Sequence, residues 1–410
     1  MSATVGWPRV PLAEAYWFQE GPGVRKWQFT TSGIKLLNVG NIEKDGTLNL
    51  SKTERCLDES EVAQKYSHFL VDAGDLVIAS SGISFDDDGL LRTRGAFVEK
   101  RDLPLCLNTS TIRFKAIEDV SDLRFLRIWL NGREFRSQIT KLVTGTAQQN
   151  FGPSHLKATE ITLPSLAEQR RIAEVLDRAE ALRAKRRAAL AQLDTLTKSI
   201  FLALFGDPAT NPRGWETLRL QDVLSMPLRN GLSPSNVGKV TAKVLTLSAI
   251  TGSEFDDSAW KVSTFRSPPP LDQSVDENDF LICRGNGNVR LVGKGYFPTH
   301  RMPDVTFPDT MIAARVRADR LERVFLQHIW GWNAVRRQVE SLARTTNGTF
   351  KVNQTMLEGI TFIGPPLELQ REFARRVAVT DKMKAAQRTS LAQLDALFAV
   401  LQHRAFRGEL

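Results

Sequence analysis

Two glycine-containing segments of this sequence are each associated with polar side chains that could bind nucleic acid bases. The first segment, residues 71–82, contains Ser80 and Ser81, and Arg92 and Arg94 follow it. The second segment, residues 275–287, leads into a richer cluster composed of Arg284, Asn286, Asn288, Arg290 and Lys294. Arginine can donate two hydrogen bonds to guanine, and asparagine can pair with adenine through two hydrogen bonds. Both clusters are therefore predicted candidates for contacts to base edges in a DNA groove.

A second pair of polar loops has the same kind of composition, and each loop contains a Gly-Thr dipeptide. The loop at the start of residues 144–161 supplies Thr144, Thr146, Gln148 and Gln149. The loop at the start of residues 345–360, with the arginine before it, supplies Arg344, Thr345, Asn347, Thr349 and Lys351. A single surface residue of these types is more often solvated or bonded to a phosphate than bonded to a base. The prediction of DNA contacts therefore rests on the clusters.

The sequence lacks the usual signatures of a catalytic centre. It has no GxxxxGK[ST] loop for a nucleoside triphosphate, and no GxGxxG that follows a strand and opens a helix. Asn211-Pro212 is similar to the start of the Asn-Pro-Pro-aromatic motif of amino-methyltransferases, but Arg213 and Gly214 follow it, so the aromatic residue is missing. The three cysteines and five histidines are scattered without the spacing of metal ligands. We expect no catalytic residue, no metal and no cofactor in this chain.

The composition is that of an ordinary globular protein with an excess of positive charge. Hydrophobic residues make up 42% of the 410 residues and charged residues 25%, and such a length usually corresponds to two or three domains. The formal net charge of +9 would attract a polyanion, which makes nucleic acid the leading candidate partner. No run of 18 consecutive apolar residues occurs, and the first residues lack the pattern of a signal peptide. We expect a cytoplasmic protein with no transmembrane segment.

One long amphipathic helix is predicted over residues 163–208. Apolar residues recur there at steps of three and four, which places them on one face, at Ile172, Leu176, Ala179, Leu182, Leu190, Leu193, Leu196, Ile200 and Leu204. Ser165 and Glu168 form a predicted capping box at its start, and Gly206 and Pro208 end it. A helix of about 40 residues would be roughly 60 Å long, so its apolar face needs a partner.

The partner is predicted to be a second copy of the same helix in residues 364–410. The two segments align at an offset of 201 residues and share polar as well as apolar positions: Gln169 matches Gln370, and Asp194 matches Asp395. Two unrelated amphipathic helices would share only the apolar period. The chain is therefore predicted to contain an internal repeat.

The repeat extends into the regions before the two helices, where Gly6-Trp7 recurs as Gly214-Trp215. The predicted fold class is α+β, with two similar mixed α/β globular domains separated by two long helices that pair as an antiparallel coiled coil with pseudo-twofold symmetry. The predicted boundaries are 1–162 for the first domain, 163–208 for the first helix, 209–363 for the second domain and 364–410 for the second helix. Within the domains we predict strands over 36–42 and 244–250, and single helices with a buried apolar face over 122–142 and 321–342.

Together these features resemble the specificity subunit of type I restriction-modification systems over essentially the full chain. The resemblance rests on the two proline-initiated helix starts, the two LAQLD sequences, the Gly-Thr loops and the junction between the copies, with the residues Pro164, Leu166, Gln169, Arg170, Pro365, Leu367, Gln370, Arg371 and the range 205–215. It implies two target recognition domains, each binding one half of a bipartite site in double-stranded DNA. It also implies a non-catalytic chain. Its partners would be two modification subunits that use S-adenosylmethionine to methylate adenine, and two restriction subunits that use ATP for translocation and cleavage.

By the same resemblance the helix pair is expected to bind the modification subunits. The candidate docking residues are Gln169, Arg170, Arg183, Arg186, Gln370 and Arg371. The second copy lacks the capping box, and Lys351 lies near the place of Gln148, so DNA contacts do not transfer residue by residue between the copies. Two other functions stay open: an interaction scaffold whose coiled coil joins two protein-binding domains, and a single-chain restriction or methyltransferase enzyme, against which the missing cofactor motifs argue.

Overall fold

The chain folds into two compact units of similar construction. A computed structural model describes residues 6–52, 54–82, 84–86, 88–143, 150–346 and 348–410. Unit 1 contains the residues up to 187 together with residues 390–410, and unit 2 contains residues 188–389. Each unit therefore consists of one globular domain with parts of both long helices. The four-part domain division of the sequence stays a prediction.

The described residues of unit 1 form three sheets. Its strands are β1 (Arg9–Pro11), β2 (Tyr16–Glu20), β3 (Ile34–Leu36), β4 (Cys56–Leu57), β5 (Leu76–Ala79), β6 (Gly95–Phe97), β7 (Leu105–Cys106), β8 (Thr111–Ala116) and β9 (Glu160–Thr162). The helices that begin in it are α1 (Leu12–Ala15), α2 (Glu59–Glu61), α3 (Leu123–Asn131), α4 (Arg133–Leu142), α5 (Pro153–Lys157) and the long α6 (Leu166–Phe205). The strand orders are β1-β9, β2-β8-β5-β6 and β4-β3-β7.

In unit 2 the part of the chain that the structure describes forms four sheets. Its strands are β10 (Glu216–Arg219), β11 (Arg229–Asn230), β12 (Val240–Leu245), β13 (Trp260–Phe265), β14 (Ser274–Val275), β15 (Asp279–Cys283), β16 (Gly285–Asn286), β17 (Gly295–Tyr296), β18 (Met302–Thr306), β19 (Met311–Arg315), β20 (Arg344–Thr346), β21 (Thr349–Lys351) and β22 (Thr361–Gly364). The helices that begin in it are α7 (Ser248–Thr251), α8 (Arg323–Trp330), α9 (Asn333–Leu342), α10 (Gln354–Glu358) and the long α11 (Leu367–Ala405). The strand orders are β10-β22, β11-β19-β15-β17, β13-β12-β18-β14 and β16-β21-β20.

Three sheets recur in the two units, two of them with the same strand order and the third with one additional strand, β14, in unit 2. The β10-β22 pair corresponds to β1-β9, and β11-β19-β15-β17 corresponds to β2-β8-β5-β6. In the third sheet, β12 lies between an antiparallel and a parallel neighbour, as β3 does. The predicted α+β repeat is therefore confirmed. The β16-β21-β20 sheet has no counterpart in the described part of unit 1.

The ends of the long helices are part of the two domain cores. In unit 1, Ile172 and Leu176 of α6 and Ala405 of α11 are buried in one cluster with α3. In unit 2, Phe201 of α6 and Phe373 of α11 are fully buried together, with ring centroids 5.4 Å apart. Burial of a large apolar side chain contributes about 1.5–3 kcal/mol. These contacts fix both helices to each domain.

The two helices run antiparallel within unit 1. The Arg183 Nε atom lies 2.6 Å from Asp395 Oδ1, and the Arg171 guanidinium donates to the Leu410 carbonyl oxygen at 3.1 Å. The residue number rises along α6 while it falls along α11, which confirms the predicted antiparallel pairing.

The same pairing occurs in unit 2 through the equivalent residues. Lys384 Nζ lies 2.8 Å from Asp194 Oδ1, and the offset of 201 residues relates Lys384 to Arg183 and Asp194 to Asp395. The aspartate of each LAQLD sequence is therefore paired with a basic residue on the other helix. This pairing explains why the repeat preserves a polar residue there.

Three expectations for local structure were incomplete. The predicted single helix over 122–142 is divided into α3 and α4, because Gly132 is extended with φ −76° and ψ 160°. A similar break at Trp332, with ψ 150°, divides α8 from α9. The predicted strands over 36–42 and 244–250 end early, at Leu36 and Leu245, and short helical turns follow.

The predicted apolar stripe of α6 is buried at its ends and open in between. Leu182 and Leu196 are 49% and 42% exposed. An 18-residue window of α6 with mean hydropathy 1.3, of which 22% is buried, is long and apolar enough by composition to cross a membrane. We expected no transmembrane segment because the sequence has no uninterrupted run of 18 apolar residues. Core helices of soluble proteins meet the same criterion, so this is weak evidence for a membrane span.

Candidate nucleic-acid interface

The buried strands β5 and β15 position the two glycine-containing segments. The carboxylate at the start of each strand is buried, with Asp75 4% and Asp279 1% exposed. Asp279 accepts from the Arg315 guanidinium at 2.8 Å, and the Arg113 guanidinium lies 3.6 Å from Asp75. Burial raises the pKa of Asp75. These paired charges anchor the strand starts, and the segments that follow the strands emerge at the opposite ends.

In unit 2 the polar loops that are far apart in sequence form one small sheet. Strand β16 pairs with β21, so that Gly285 lies opposite Lys351, and β21 pairs with β20, so that Arg344 also lies opposite Lys351. A Cβ atom on Gly285 would lie 3.1 Å from Lys351 Cγ, so this close pairing favours glycine. The sheet brings together Asn286, Arg344, Thr345, Thr349 and Lys351.

The candidates in this part of unit 2 differ in what their side chains do. Arg344, Thr345, Lys351 and Arg290 are exposed, and none of the three cations among them has an ion-pair partner within the described residues. Thr349 is half-buried. The exposed cations can therefore face a polyanion. Asn347 lies outside the described residues.

Other candidates of unit 2 hold the loops in place. The Arg284 guanidinium donates to the Asp309 carbonyl oxygen at 3.1 Å, and Lys294 Nζ donates to the Thr251 carbonyl oxygen at 2.9 Å. Burial lowers the pKa of Lys294. The amide oxygens of Asn286 and Asn288 accept backbone N–H groups at 2.9 and 3.0 Å within the loop. These side chains position the loop around the exposed residues.

In unit 1, three cations converge at a cavity of about 550 Å³. Arg92 is exposed and Arg94 is half-buried, and Lys44 from a separate loop joins them in the cavity lining. Arg136 also lines the cavity but is paired with Asp86, and its hydrogen bond lowers the pKa of that carboxyl group. The cavity therefore has the charge to bind an anionic group. Lys44 was not among the predicted candidates. Nothing in its local sequence links it to Arg92 and Arg94, which lie almost 50 positions away.

Other candidates of unit 1 are less accessible or lie outside the described chain. Ser80 is 1% exposed, and its carbonyl oxygen accepts the Phe151 N–H at 2.9 Å. Ser81 is half-buried. The hydroxyl of Ser80 is too buried for a direct DNA contact. Ser80 instead holds the loop in place through its backbone hydrogen bond to Phe151. The candidates outside the described residues are Thr144, Thr146, Gln148 and Gln149.

The predicted docking residues separate into buried and exposed groups. Gln169 and Gln370 are 0% and 1% exposed, so their prediction as docking residues is wrong. The Gln169 amide donates to the carbonyl oxygens of Val120 and Pro164 and accepts the Asp122 N–H, each at 2.9 Å. It links the start of α6 to the start of α3. The sequence could not distinguish this role, because a polar residue on a long helix is usually solvated.

The remaining docking candidates are basic residues of the long helices. Arg183 is largely used within unit 1, since it contacts Asp395 and lies over the Phe398 ring at 4.5 Å. Arg170 and Arg186 are exposed, and Arg371 is exposed with a hydrogen bond to Glu368 at 2.7 Å. Among the basic docking candidates, Arg170, Arg186 and Arg371 have exposed side chains, which is consistent with a docking role.

Residues 35–192 match the profile of a protein family described as the type I restriction modification DNA specificity domain. Similar curated proteins include the StySPI specificity subunit of a type I restriction enzyme from Salmonella potsdam, which is 28% identical over 300 residues, or 67% of this chain and 63% of the relative. The EcoKI specificity subunit from Escherichia coli is 26% identical over 294 residues, with the same coverage of 67% and 63%. The chain thus spans less than two thirds of each of these relatives.

Solved structures with the same fold cover nearly the whole chain. The crystal structure of the S subunit of a type I restriction-modification system from M. genitalium has a TM-score of 0.58 at 14% identity, and covers 99% of this chain and 97% of that chain. A chain from a structural study of complex assembly and conformational transition in a type I system has a TM-score of 0.56 at 19% identity, with full coverage of both. At such low identity the likeness establishes the fold.

Proposed function

Because residues 35–192 match the type I restriction modification DNA specificity domain and the whole chain shares the fold of S subunits of such systems, we propose that it is the DNA sequence-recognition subunit of a type I complex. Each globular domain binds one half of a bipartite, asymmetric site in double-stranded DNA. The chain has no catalytic role and holds no cofactor of its own. It functions in the cytoplasm, where the DNA is.

The observation that supports this proposal most directly is the contrast between framework and surface in the two units. The buried glutamine at the start of each long helix and the ion pair between the helices recur at equivalent positions. Within the described residues the polar surfaces differ: unit 1 has the cavity with Lys44, Arg92 and Arg94, while unit 2 has the sheet with Arg344 and Lys351. Two different polar surfaces on one framework suit two different half-sites.

The long helices set the spacing between the half-sites and bind the other subunits. Two modification subunits transfer methyl groups from S-adenosylmethionine to adenine, and two restriction subunits supply ATP-driven translocation and cleavage. The docking candidates with exposed side chains are Arg170, Arg186 and Arg371.

The experiment that tests this function is methylome sequencing of cells that express the chain with its modification subunit. We expect methylated adenines in one bipartite motif. Replacing Arg344 and Lys351 by alanine changes or relaxes one half of the motif and leaves the other half unchanged, because a good bidentate base contact discriminates by about 1–3 kcal/mol. The matched control is Arg320→Ala, an exposed cation of unit 2 outside the sheet. An assembled complex that methylates no bipartite motif would contradict the proposed function and favour a protein-binding scaffold.

The spacing role has its own test. One additional helical turn is inserted into α6 and, at the equivalent position, into α11, near residues 188 and 389. A turn adds about 5.4 Å, which corresponds to roughly 1.6 base pairs of B-form DNA. We expect the spacer in the methylated motif to lengthen by one or two base pairs while both half-sites stay the same. A change in the half-sites themselves would contradict the division of roles.

A further inference from the structure

The β12–β13 hairpin of unit 2 forms an antiparallel ribbon at the edge of a sheet. Six residue pairs connect the strands, from Val240 opposite Phe265 to Leu245 opposite Trp260. The strand order β13-β12-β18-β14 places β13 at the edge. Six residues at about 3.4 Å each give a ribbon roughly 20 Å long. A two-stranded ribbon of this kind has dimensions that the major groove of B-form DNA can accept.

The two segments that build this ribbon contain basic residues and no acidic ones. Between Asp222 and Glu254, and again between Asp257 and Asp272, the sequence has no aspartate or glutamate. Four exposed cations lie in these segments, namely Lys239, Lys243, Lys261 and Arg266. None of the four has an ion-pair partner within the described part of the chain. Because Lys243 lies opposite Val262 and Lys261 lies opposite Val244, the ribbon carries unpaired positive charge on both of its faces.

The carboxylates that are nearest in sequence are engaged elsewhere. Glu254 pairs with Arg388 at 2.9 Å, and Asp256 accepts the Ser258 hydroxyl at 2.6 Å. Asp304 belongs to β18, on the side of β12 away from the edge strand. Asp256 and Asp257 lie in the connection between the two strands, so no carboxylate belongs to β12 or β13 themselves.

Exposed apolar groups lie among these cations. Trp260 is 38% exposed, with Lys243 Nζ 4.6 Å from the centroid of its ring, and Val262 is 62% exposed opposite Lys243. Charged side chains, especially lysine, can protect an exposed edge strand from pairing with another chain, but an exposed tryptophan and valine do not serve that purpose. A surface that combines cations with an aromatic ring favours a polyanionic ligand that has a groove, such as duplex DNA.

We propose that the β12–β13 hairpin is a second DNA-contacting surface of unit 2, which binds the phosphate backbone of double-stranded DNA in addition to the base contacts predicted for the β16-β21-β20 sheet. This inference rests on the proposed function. Duplex DNA is favoured over a protein partner because the four cations have no ion-pair partner among the described residues and a two-stranded ribbon can enter the major groove. Phosphate contacts contribute affinity without sequence information, so this surface strengthens binding to any sequence.

The test uses the full chain assembled with its modification subunits and measures DNA affinity across a range of salt concentrations. The variant is Lys243→Ala with Lys261→Ala, and the matched control is Arg219→Ala with Arg320→Ala, two exposed cations of unit 2 outside the hairpin. Each lost phosphate contact lowers the slope of log affinity against log salt by about 0.9, so the variant should lose about 1.8 and bind roughly 30-fold more weakly near 0.15 M salt. Specific and non-specific DNA should be affected alike, and the methylated motif should not change.

Further measurements separate the outcomes. A second variant, Lys239→Ala with Arg266→Ala, tests the other end of the ribbon, and a thermal unfolding curve for each variant establishes that it is folded. If wild-type complex recognises its site and the hairpin variants keep the wild-type salt slope, the inference is wrong while the proposed function stands. Loss of a co-purifying protein with unchanged DNA binding would identify a protein interface and would also overturn it. If the wild-type complex does not bind DNA, both proposals fail.

Discussion

The buried amide of Gln169 should contribute more to stability than any exposed residue of the long helices. Replacing it by leucine keeps the size but removes two donors and one acceptor. The carbonyl oxygens of Val120 and Pro164 and the Asp122 N–H then lose their partners. A buried polar group left without a partner costs about 1–3 kcal/mol, so three such groups give a loss of about 3 kcal/mol at the low end.

The second copy provides an internal comparison. The Gln370 amide accepts the Glu322 N–H at 2.9 Å and donates to the Pro365 carbonyl oxygen at 2.7 Å, so two groups lose partners in Gln370→Leu. The expected loss there is about 2 kcal/mol on the same scale. The first substitution should therefore destabilise unit 1 more than the second destabilises unit 2.

The assay is calorimetric unfolding of the full chain, with Arg170→Leu as the neighbouring exposed control. For units of about 200 residues, 1 kcal/mol shifts Tm by roughly 2–4 °C, so Gln169→Leu should lower the Tm of its transition by about 6–12 °C. The control should change stability by less than about 0.5 kcal/mol. If Gln169→Leu unfolds at the temperature of Arg170→Leu, the amide does not hold the helix start, and the explanation of the repeated glutamine is refuted.

Three other predictions concern pH, charge and packing. Burial lowers the pKa of His328 to about 4, so this histidine is protonated more readily in the unfolded chain than in the folded one. The free energy of unfolding of unit 2 should therefore fall by about 2 kcal/mol between pH 7 and pH 5. Urea titrations at both pH values should show that His328→Gln removes this part of the pH dependence. Arg183→Glu should lower Tm by repulsion from Asp395, and adding Asp395→Lys should restore most of the loss in a double-mutant cycle; the coupling is about 0.5–1 kcal/mol because Asp395 is partly exposed. Gly231→Ala should destabilise unit 2 by more than about 1 kcal/mol, since its Cβ would lie 2.1 Å from the Pro308 carbonyl oxygen; an unchanged unfolding midpoint would contradict this.

The sequence predicted best the features that depend on periodicity and on local end signals. The first long helix, predicted over 163–208, extends over Leu166–Phe205. At its start the Glu168 N–H donates to the Ser165 hydroxyl at 3.4 Å. At its end Gly206 has a left-handed backbone conformation with φ +79°. The break at Gly132 was missed, because a helix can tolerate an internal glycine and the apolar period continues across it.

The candidate site was harder to predict, because side-chain roles depend on neighbours that are distant in sequence. Lys294 looked like a DNA contact, yet its ammonium group donates to the backbone of residues 251 and 252. Lys44 had no local signal at all, and only the fold places it beside Arg94. Residue composition indicates that a loop is polar, but the fold decides whether a cation faces solvent or another part of the chain.

The positive hairpin of unit 2 also shows how the two copies can differ without a change of fold. Its counterpart strands in unit 1, β3 and β4, lie among the carboxylates Glu43, Glu54 and Asp58, whereas the segments of β12 and β13 have none. Exposed substitutions usually change stability by less than about 0.5 kcal/mol, while loss of a buried polar partner costs about 1–3 kcal/mol. The buried framework is therefore constrained in both copies, and the exposed surface is free to change. Under the proposed function, one domain can acquire a new half-site while the other domain, the helix pair and the docking residues stay as they are.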